Sequence, residues 1–278
     1  MLKTRVITAL CLLALFLAAL RFLPPLGWAA FAAIVAAIAG WEWGGLMRLE
    51  ARGRVLFGVG IAIVCAALTL LDPAAFGVAP GFAEAAPALA PFLYWPAIAF
   101  WLLLVPLWMR MRWNLPRGFP GVLIGLLLIV PTWAALVQLR QMGASALFGV
   151  MAVVWLADIA AYFSGRAFGK HKLAPSISPG KTWEGAIGAA IAVVLYGFFL
   201  APHFASGMLA QNKFLLLLAL LLLTGVSIVG DLFESLLKRQ AGIKDSSNVL
   251  PGHGGVLDRI DSLTSTLPLV CGLWLLSN

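Results

Sequence analysis

Nine apolar stretches of roughly 15 to 21 residues follow one another along this chain, at approximately 6–22, 26–42, 55–71, 92–109, 119–137, 145–164, 183–201, 213–233 and 260–276. A segment of that length, coiled as an α-helix, crosses a hydrocarbon layer ~30 Å thick while satisfying its own backbone N–H and C=O groups. Hydrophobic residues make up 62% of the 278 and charged residues 11%, more apolar surface than one soluble core encloses. The expected fold class is all-α: a polytopic integral membrane protein with about nine transmembrane helices. Pro24 and Pro25 join the first two short spans, which leaves a re-entrant pair as the alternative there.

Basic residues orient the bundle. With the N-terminus cytoplasmic, all 19 Lys and Arg except Arg21, Arg140 and Lys213 fall in inside segments, as the positive-inside bias requires. The net charge of +8 then lies on one face, beside anionic headgroups and cytosolic phosphates, and needs no nucleic acid to explain it. Trp41, Trp43, Trp108, Trp113 and Trp183 fall near span ends, where interfacial tryptophans collect. Met1 to Leu20 has the basic start and apolar middle of a signal peptide, but its removal would upset the charge parity of the remaining spans, so it is expected to stay as the first span. Cys11, Cys65 and Cys271 lie within spans, without metal or disulfide spacing, and read as packing residues.

The chain divides by character. Residues 1–144 alternate oily helices with short loops and read as scaffold, including an Ala/Pro-rich outside connection from Asp72 to Pro91 that resembles a lipid-surface segment. Residues 145–278 carry three polar clusters on the inside face and read as the catalytic region.

Asp158 and Asp231 stand within or at the inner end of apolar spans, where an unpaired carboxylate is costly and marks an ion, substrate or proton site; an ion pair of Asp158 with Arg166 is the structural alternative. Asp258 and Asp261 are spaced i, i+3, on one side of a helix starting near Val256. With no Cys and one His beside them, they suit a hard divalent cation such as Mg²⁺ better than zinc; charge compensation at a helix N-terminus would also favour them. The run "GHGG" around His253 permits close approach of backbone N–H groups to a phosphate. In "SISPGKTWEG" Ser178 is expected to cap a helix whose first residue is Pro179. Lys181 would then sit in its first turn, unfavourably unless an anion binds there too. The stretch is not a Walker A loop, and its S-x-x-K spacing lacks companion motifs. Lys238, Arg239 and Lys244 serve either as topology anchors or as neutralisers of a polyphosphate. Together these residues suggest phosphoryl or nucleotidyl transfer to a lipid.

The stretch "SLLKRQAGIKDSSNVLPGHGGVLDRID" (235–261), with Asp158, "AYFSGRAFGKHKL" and "SPGKTWEG" upstream, resembles the phosphatidate cytidylyltransferase (CDP-diacylglycerol synthase) family over roughly the last 120 residues. The resemblance implies a bacterial-type inner-membrane enzyme with its active site on the cytoplasmic side. Such an enzyme converts CTP and phosphatidate to CDP-diacylglycerol and pyrophosphate, depends on Mg²⁺ with K⁺ as an auxiliary cation, and is a homodimer. It implies Asp231 and Asp258 as metal ligands, with Asp261 and Asp245 supporting the acidic cluster. Lys238, Arg239, Lys244, Lys181, Ser178, His253, Gly254, Gly255, Arg259 and Asp158 would line the nucleotide and phosphate site. The rivals are a transporter, which would place polar interruptions in both halves of the chain, and a CTP-dependent lipid kinase of the polyprenol type, which would move the γ-phosphoryl group instead.

Overall fold

The computed structural model describes the backbone of residues 2–204 and 207–277. The described residues contain eleven α-helices, one π-helical turn and one two-stranded sheet. Helices α1 (Leu2–Phe22) and α2 (Pro25–Leu46) have 21 and 22 residues, about 32 Å each at 1.5 Å per residue. Each is long and apolar enough to cross by itself, as two separate spans require. Pro24 is extended and Pro25 opens α2, a position where the missing N–H costs nothing. Helix α3 (Ala51–Leu71) returns, and α4 (Phe82–Ala99) continues through a π-helical turn (Phe100–Leu104) into α5 (Val105–Met111). The single proline-rich run Phe82–Met111 thus replaces the shorter span expected from residue 92. Then follow α6 (Phe119–Gln141) and α7 (Ala144–Phe168), a hairpin of β1 (Lys172–Ala174) and β2 (Ser178–Thr182), α8 (Trp183–Phe204), the short α9 (Gly207–Gln211), α10 (Lys213–Ala241) and α11 (Leu257–Ser277).

Eight helical runs among the described residues are long and apolar enough to cross a membrane. Helix α11 occupies the place of the expected ninth, and its first half is polar. It tolerates those groups because it packs against α10, α6 and α4, with nearly every residue from Ser262 to Cys271 buried. Its hydroxyls bond to neighbouring backbone: Ser262 Oγ donates to the Ser227 carbonyl at 3.2 Å and Ser265 Oγ to that of Val226 at 2.9 Å. Away from lipid, such side chains hold helices together. Gly230 of α10 permits the close approach, since a Cβ there would lie 2.5 Å from Ser265 Oγ.

Two tryptophans expected at an interface are instead in the core. Trp43 is buried and donates its indole N–H to the Gly121 carbonyl at 3.0 Å, and buried Trp108 donates to that of Trp113 at 2.6 Å. Each donates to a carbonyl of the protein itself, Gly121 on α6 and Trp113 just past α5, which removes the polar reason for staying at the surface. The 72–81 connection also tucks inward: Phe76 is fully buried against Trp133, and Gln138 Nε2 donates to the Ala75 carbonyl. Arg140, one of the three basic exceptions, caps α1 by donating to the Leu20 and Leu23 carbonyls, a C-terminal position that favours a cation.

Candidate active site

The polar segments gather at the end of the bundle shared by the α1 N-terminus, the α2 C-terminus and the α10–α11 connection. Residues 178–182 form strand β2, antiparallel to β1 with Lys172 opposite Thr182, and not the first turn of a helix. The expectation for Ser178, Pro179 and Lys181 is corrected on this point. Pro179-Gly180 disfavours helix, and the cap falls to Thr182, whose Oγ1 accepts from Gly185 N at 3.1 Å. Glu184 in the new first turn pairs with His171 Nδ1 at 2.7 Å, tying the hairpin base to α8. Lys181 leaves the strand toward α10, where its Nζ lies 2.5 Å from Asp231 Oδ2.

Asp158, Ser178, Lys181 and Asp231 line one cavity of about 430 Å³ between α7, α8, the hairpin and α10. Asp158 and Asp231 each lie ten residues before the ends of their helices, Phe168 and Ala241, about 15 Å along the axis. Arg166 does not neutralise Asp158; its guanidinium donates to the Tyr162 hydroxyl at 3.2 Å. The carboxylates of Asp158, Asp231 and Asp261 repel one another, and Lys181 and Arg259 offset part of the charge on Asp158.

A second cavity, about 530 Å³, is lined by Lys244, Asp245, His253, Gly254 and Arg259, with Arg5 reaching in from α1. The glycine loop is shaped by its backbone: Leu250 N donates to Gly254 O and His253 N to Leu250 O, both at 2.8 Å, with Gly252 and Gly254 at φ +76° and +84°. Only glycine adopts these dihedrals freely. At Gly255 the limit is space, because a Cβ would fall 2.0 Å from Ser246 Oγ and 2.4 Å from Glu42 Oε1. Thr8 Oγ1 donates to the Pro251 carbonyl at 3.0 Å, seating α1 on this loop. Arg259 lines this second cavity, one residue from Asp258 on α11.

Asp258 and Lys238 meet beneath the loop. Asp258 Oδ1 accepts from Lys238 Nζ at 2.6 Å, and Oδ2 from Gly255 N, Ser246 N and Ser246 Oγ at 2.7, 2.8 and 3.0 Å. Lys238 Nζ also donates to Glu234 Oε2 at 2.8 Å. Both oxygens of Asp258 are thus engaged by the protein, and Lys238 is an internal counter-ion. Arg239 is exposed and lines neither cavity.

Sequence reasoning passed over Glu42, Glu234 and Arg5. Glu42 is fully buried and accepts hydrogen bonds from Ser247 Oγ, Val256 N and Leu257 N, with Ser246 Oγ a further 3.2 Å away. A lone carboxylate in the otherwise apolar "GWEWGGL" was its signal, of the same kind that singled out Asp158 and Asp231. Glu234 stood in the same polar run as Lys238, and its Oε1 is buried without a hydrogen-bond partner among the described residues.

Comparison with known proteins bears on this arrangement. Residues 3–276 match the model of the cytidylyltransferase family. This chain belongs to that family. It is 43% identical to the phosphatidate cytidylyltransferase of Pseudomonas aeruginosa, covering 98% of this chain and 97% of that protein. Identity is 36% to the protein of that name from Haemophilus influenzae (96% of each chain) and 39% to that from Brucella suis (97% and 92%). The family match runs through α1 and α2 as well as the C-terminal region, consistent with Arg5 and Glu42 standing at the polar end.

Among the described residues no three His, Cys, Asp or Glu side chains stand at metal-binding distance. The donor chemistry nevertheless fits a hard cation, since the carboxylates of Asp158 and Asp231 line one cavity and supply the oxygen ligands that Mg²⁺ prefers.

Proposed function

We propose that this chain transfers the cytidylyl group of CTP to phosphatidate, giving CDP-diacylglycerol and pyrophosphate. Near-full-length similarity to proteins of that activity supports the reading, and one observation of the site carries the chemistry. Two cavities carry phosphate-binding groups, one lined by the polar loop together with Arg5 and Arg259, and one lined by Ser178 and Lys181 beside Asp158 and Asp231, about 15 Å from the helix ends. A water-soluble nucleotide and a lipid headgroup can meet there.

Phosphatidate brings its own nucleophile, a phosphate monoester largely dianionic at neutral pH because its second pKa is near ~6. A phosphatidate oxygen forms a bond to the α-phosphorus of CTP, the α–β bridging P–O bond breaks, and the electron pair leaves with pyrophosphate. No general base is needed. Lys181, Lys244, His253, Arg5 and Arg259 hold and neutralise phosphate oxygens, and the hairpin and glycine loop fix the in-line approach. Asp231 and Asp261, with Asp258 beside them on α11, would hold Mg²⁺, which would supply charge neutralisation on the triphosphate. The site faces the cytoplasm of a bacterial inner membrane, as the basic residues suggest, and the enzyme is a homodimer.

CTP labelled separately in the cytosine ring and the γ-phosphate tests this with purified protein, phosphatidate and Mg²⁺. Ring label in the lipid phase and γ-label in aqueous pyrophosphate are expected. Label from γ-phosphate in the lipid would identify a kinase, and neither label in lipid would redirect attention to transport.

A further inference from the structure

We infer that Glu42, on α2, is a positioning residue that fixes the N-terminus of α11 and with it Asp258 and Asp261. Its carboxylate is fully buried, and among the described residues it takes part in no ion pair. A buried carboxylate survives only where donors replace its water. Oε1 accepts from Ser247 Oγ at 2.6 Å and Val256 N at 2.9 Å. Oε2 accepts from Leu257 N at 2.5 Å and lies 3.2 Å from Ser246 Oγ, whose single hydrogen it shares with Asp258 Oδ2.

Those two backbone donors lie at the start of α11, where the first N–H groups have no partner inside the helix and the helix dipole favours negative charge. Glu42 therefore caps α11 from a helix more than 200 residues away in sequence. The same contact set reaches the aspartates. Ser246 Oγ lies within hydrogen-bonding distance of both Glu42 Oε2 and Asp258 Oδ2, and Ser246 N and Gly255 N donate to Asp258 as well. Glu42 and Asp258 both hold the loop through Ser246, and Gly255 beside them leaves no room for a side chain. The rotation and depth of α11, hence where Asp258 and Asp261 point, are set by this clamp.

The inference rests on the cytidylyltransferase reading for its kinetic arm and is independent of it in a structural arm. Glu42→Gln is nearly isosteric, but whichever way the amide turns, its NH₂ meets a backbone N–H that it cannot accept from. We expect kcat per folded enzyme to fall on the order of 10- to 100-fold, as a displacement of about 1 Å at a reacting centre does, while KM for CTP and phosphatidate changes little. Hydrogen exchange of the Val256 and Leu257 amides should quicken against an unchanged background in α6 and α10. Ser247→Ala removes one donor and leaves the backbone bonds, and should lower kcat severalfold without changing the elution profile in detergent. Wild-type kcat in either folded variant, or a loss of yield with normal activity in the remaining folded protein, would overturn the inference. If wild-type protein proves not to transfer cytidylyl groups, the functional reading fails by itself, and unchanged exchange at Val256 and Leu257 in Glu42→Gln would still sink the clamp.

Discussion

Replacing Lys238 by Met removes the one ammonium that serves two buried carboxylates. Its Nζ lies 2.6 Å from Asp258 Oδ1 and 2.8 Å from Glu234 Oε2, and the three side chains are 12%, 2% and 6% exposed. Met preserves most of the stem volume and its packing, so the loss is electrostatic. Breaking a buried pair by removing one partner costs about 3–5 kcal/mol because the other charge remains unpaired. Asp258 retains three donors, from Gly255 and Ser246, whereas Glu234, among the described residues, loses the one donor to its Oε2 and has no partner at Oε1. The cost should therefore fall chiefly on Glu234, and the total should lie near the lower figure, about 3 kcal/mol. Adding Glu234→Gln to Lys238→Met should recover a coupling of about 1–3 kcal/mol, as expected for residues in one network. Unfolding midpoints in mixed micelles titrated with a denaturing detergent would measure both variants. A single-variant cost below about 1 kcal/mol, the range of exposed pairs, would refute the argument that this triad is buried and uncompensated.

Two further outcomes follow from the same geometry. Lys181→Met should leave stability within about 1 kcal/mol, because the Lys181–Asp231 pair is 26% and 29% exposed at its side chains, yet weaken substrate binding; thermal scans in detergent alongside KM for both substrates would separate the two. Gly254→Ala should cost about 1–2 kcal/mol from its left-handed backbone and push a Cβ to 2.7 Å from Asp258 Oδ2, so activity should fall more than stability; equal losses would point to general unfolding of the loop.

Much of the site was legible because membranes make polar residues conspicuous. Asp158 and Asp231 stood out against apolar surroundings, and the structure brings both to one cavity with Ser178 and Lys181. Lys244, Asp245, His253, Gly254 and Arg259 likewise share a cavity. The local conformation of 178–182 is not legible locally, since Ser-Pro is a good helix start in isolation and a strand needs its partner at 172–174. Trp43 and Trp108 were placed at an interface because span ends attract tryptophan, whereas the carbonyls that satisfy them come from Gly121, on another helix, and from Trp113 beyond the end of α5.

The sequence by itself determined that this chain is helical and crosses a membrane repeatedly, since in hydrocarbon each helix must satisfy its own backbone, and that requirement is local. It also determined which residues were too polar to be there without purpose. Only the tertiary structure decided that α11 lies inside the bundle with its hydroxyls bonded to α10, that Lys238 turns inward to Asp258 and Glu234 while Arg239 stays exposed, and that Glu42 reaches the start of α11. Those facts depend on which helices become neighbours, and a buried polar side chain takes its meaning from a donor or acceptor that can stand anywhere in the chain.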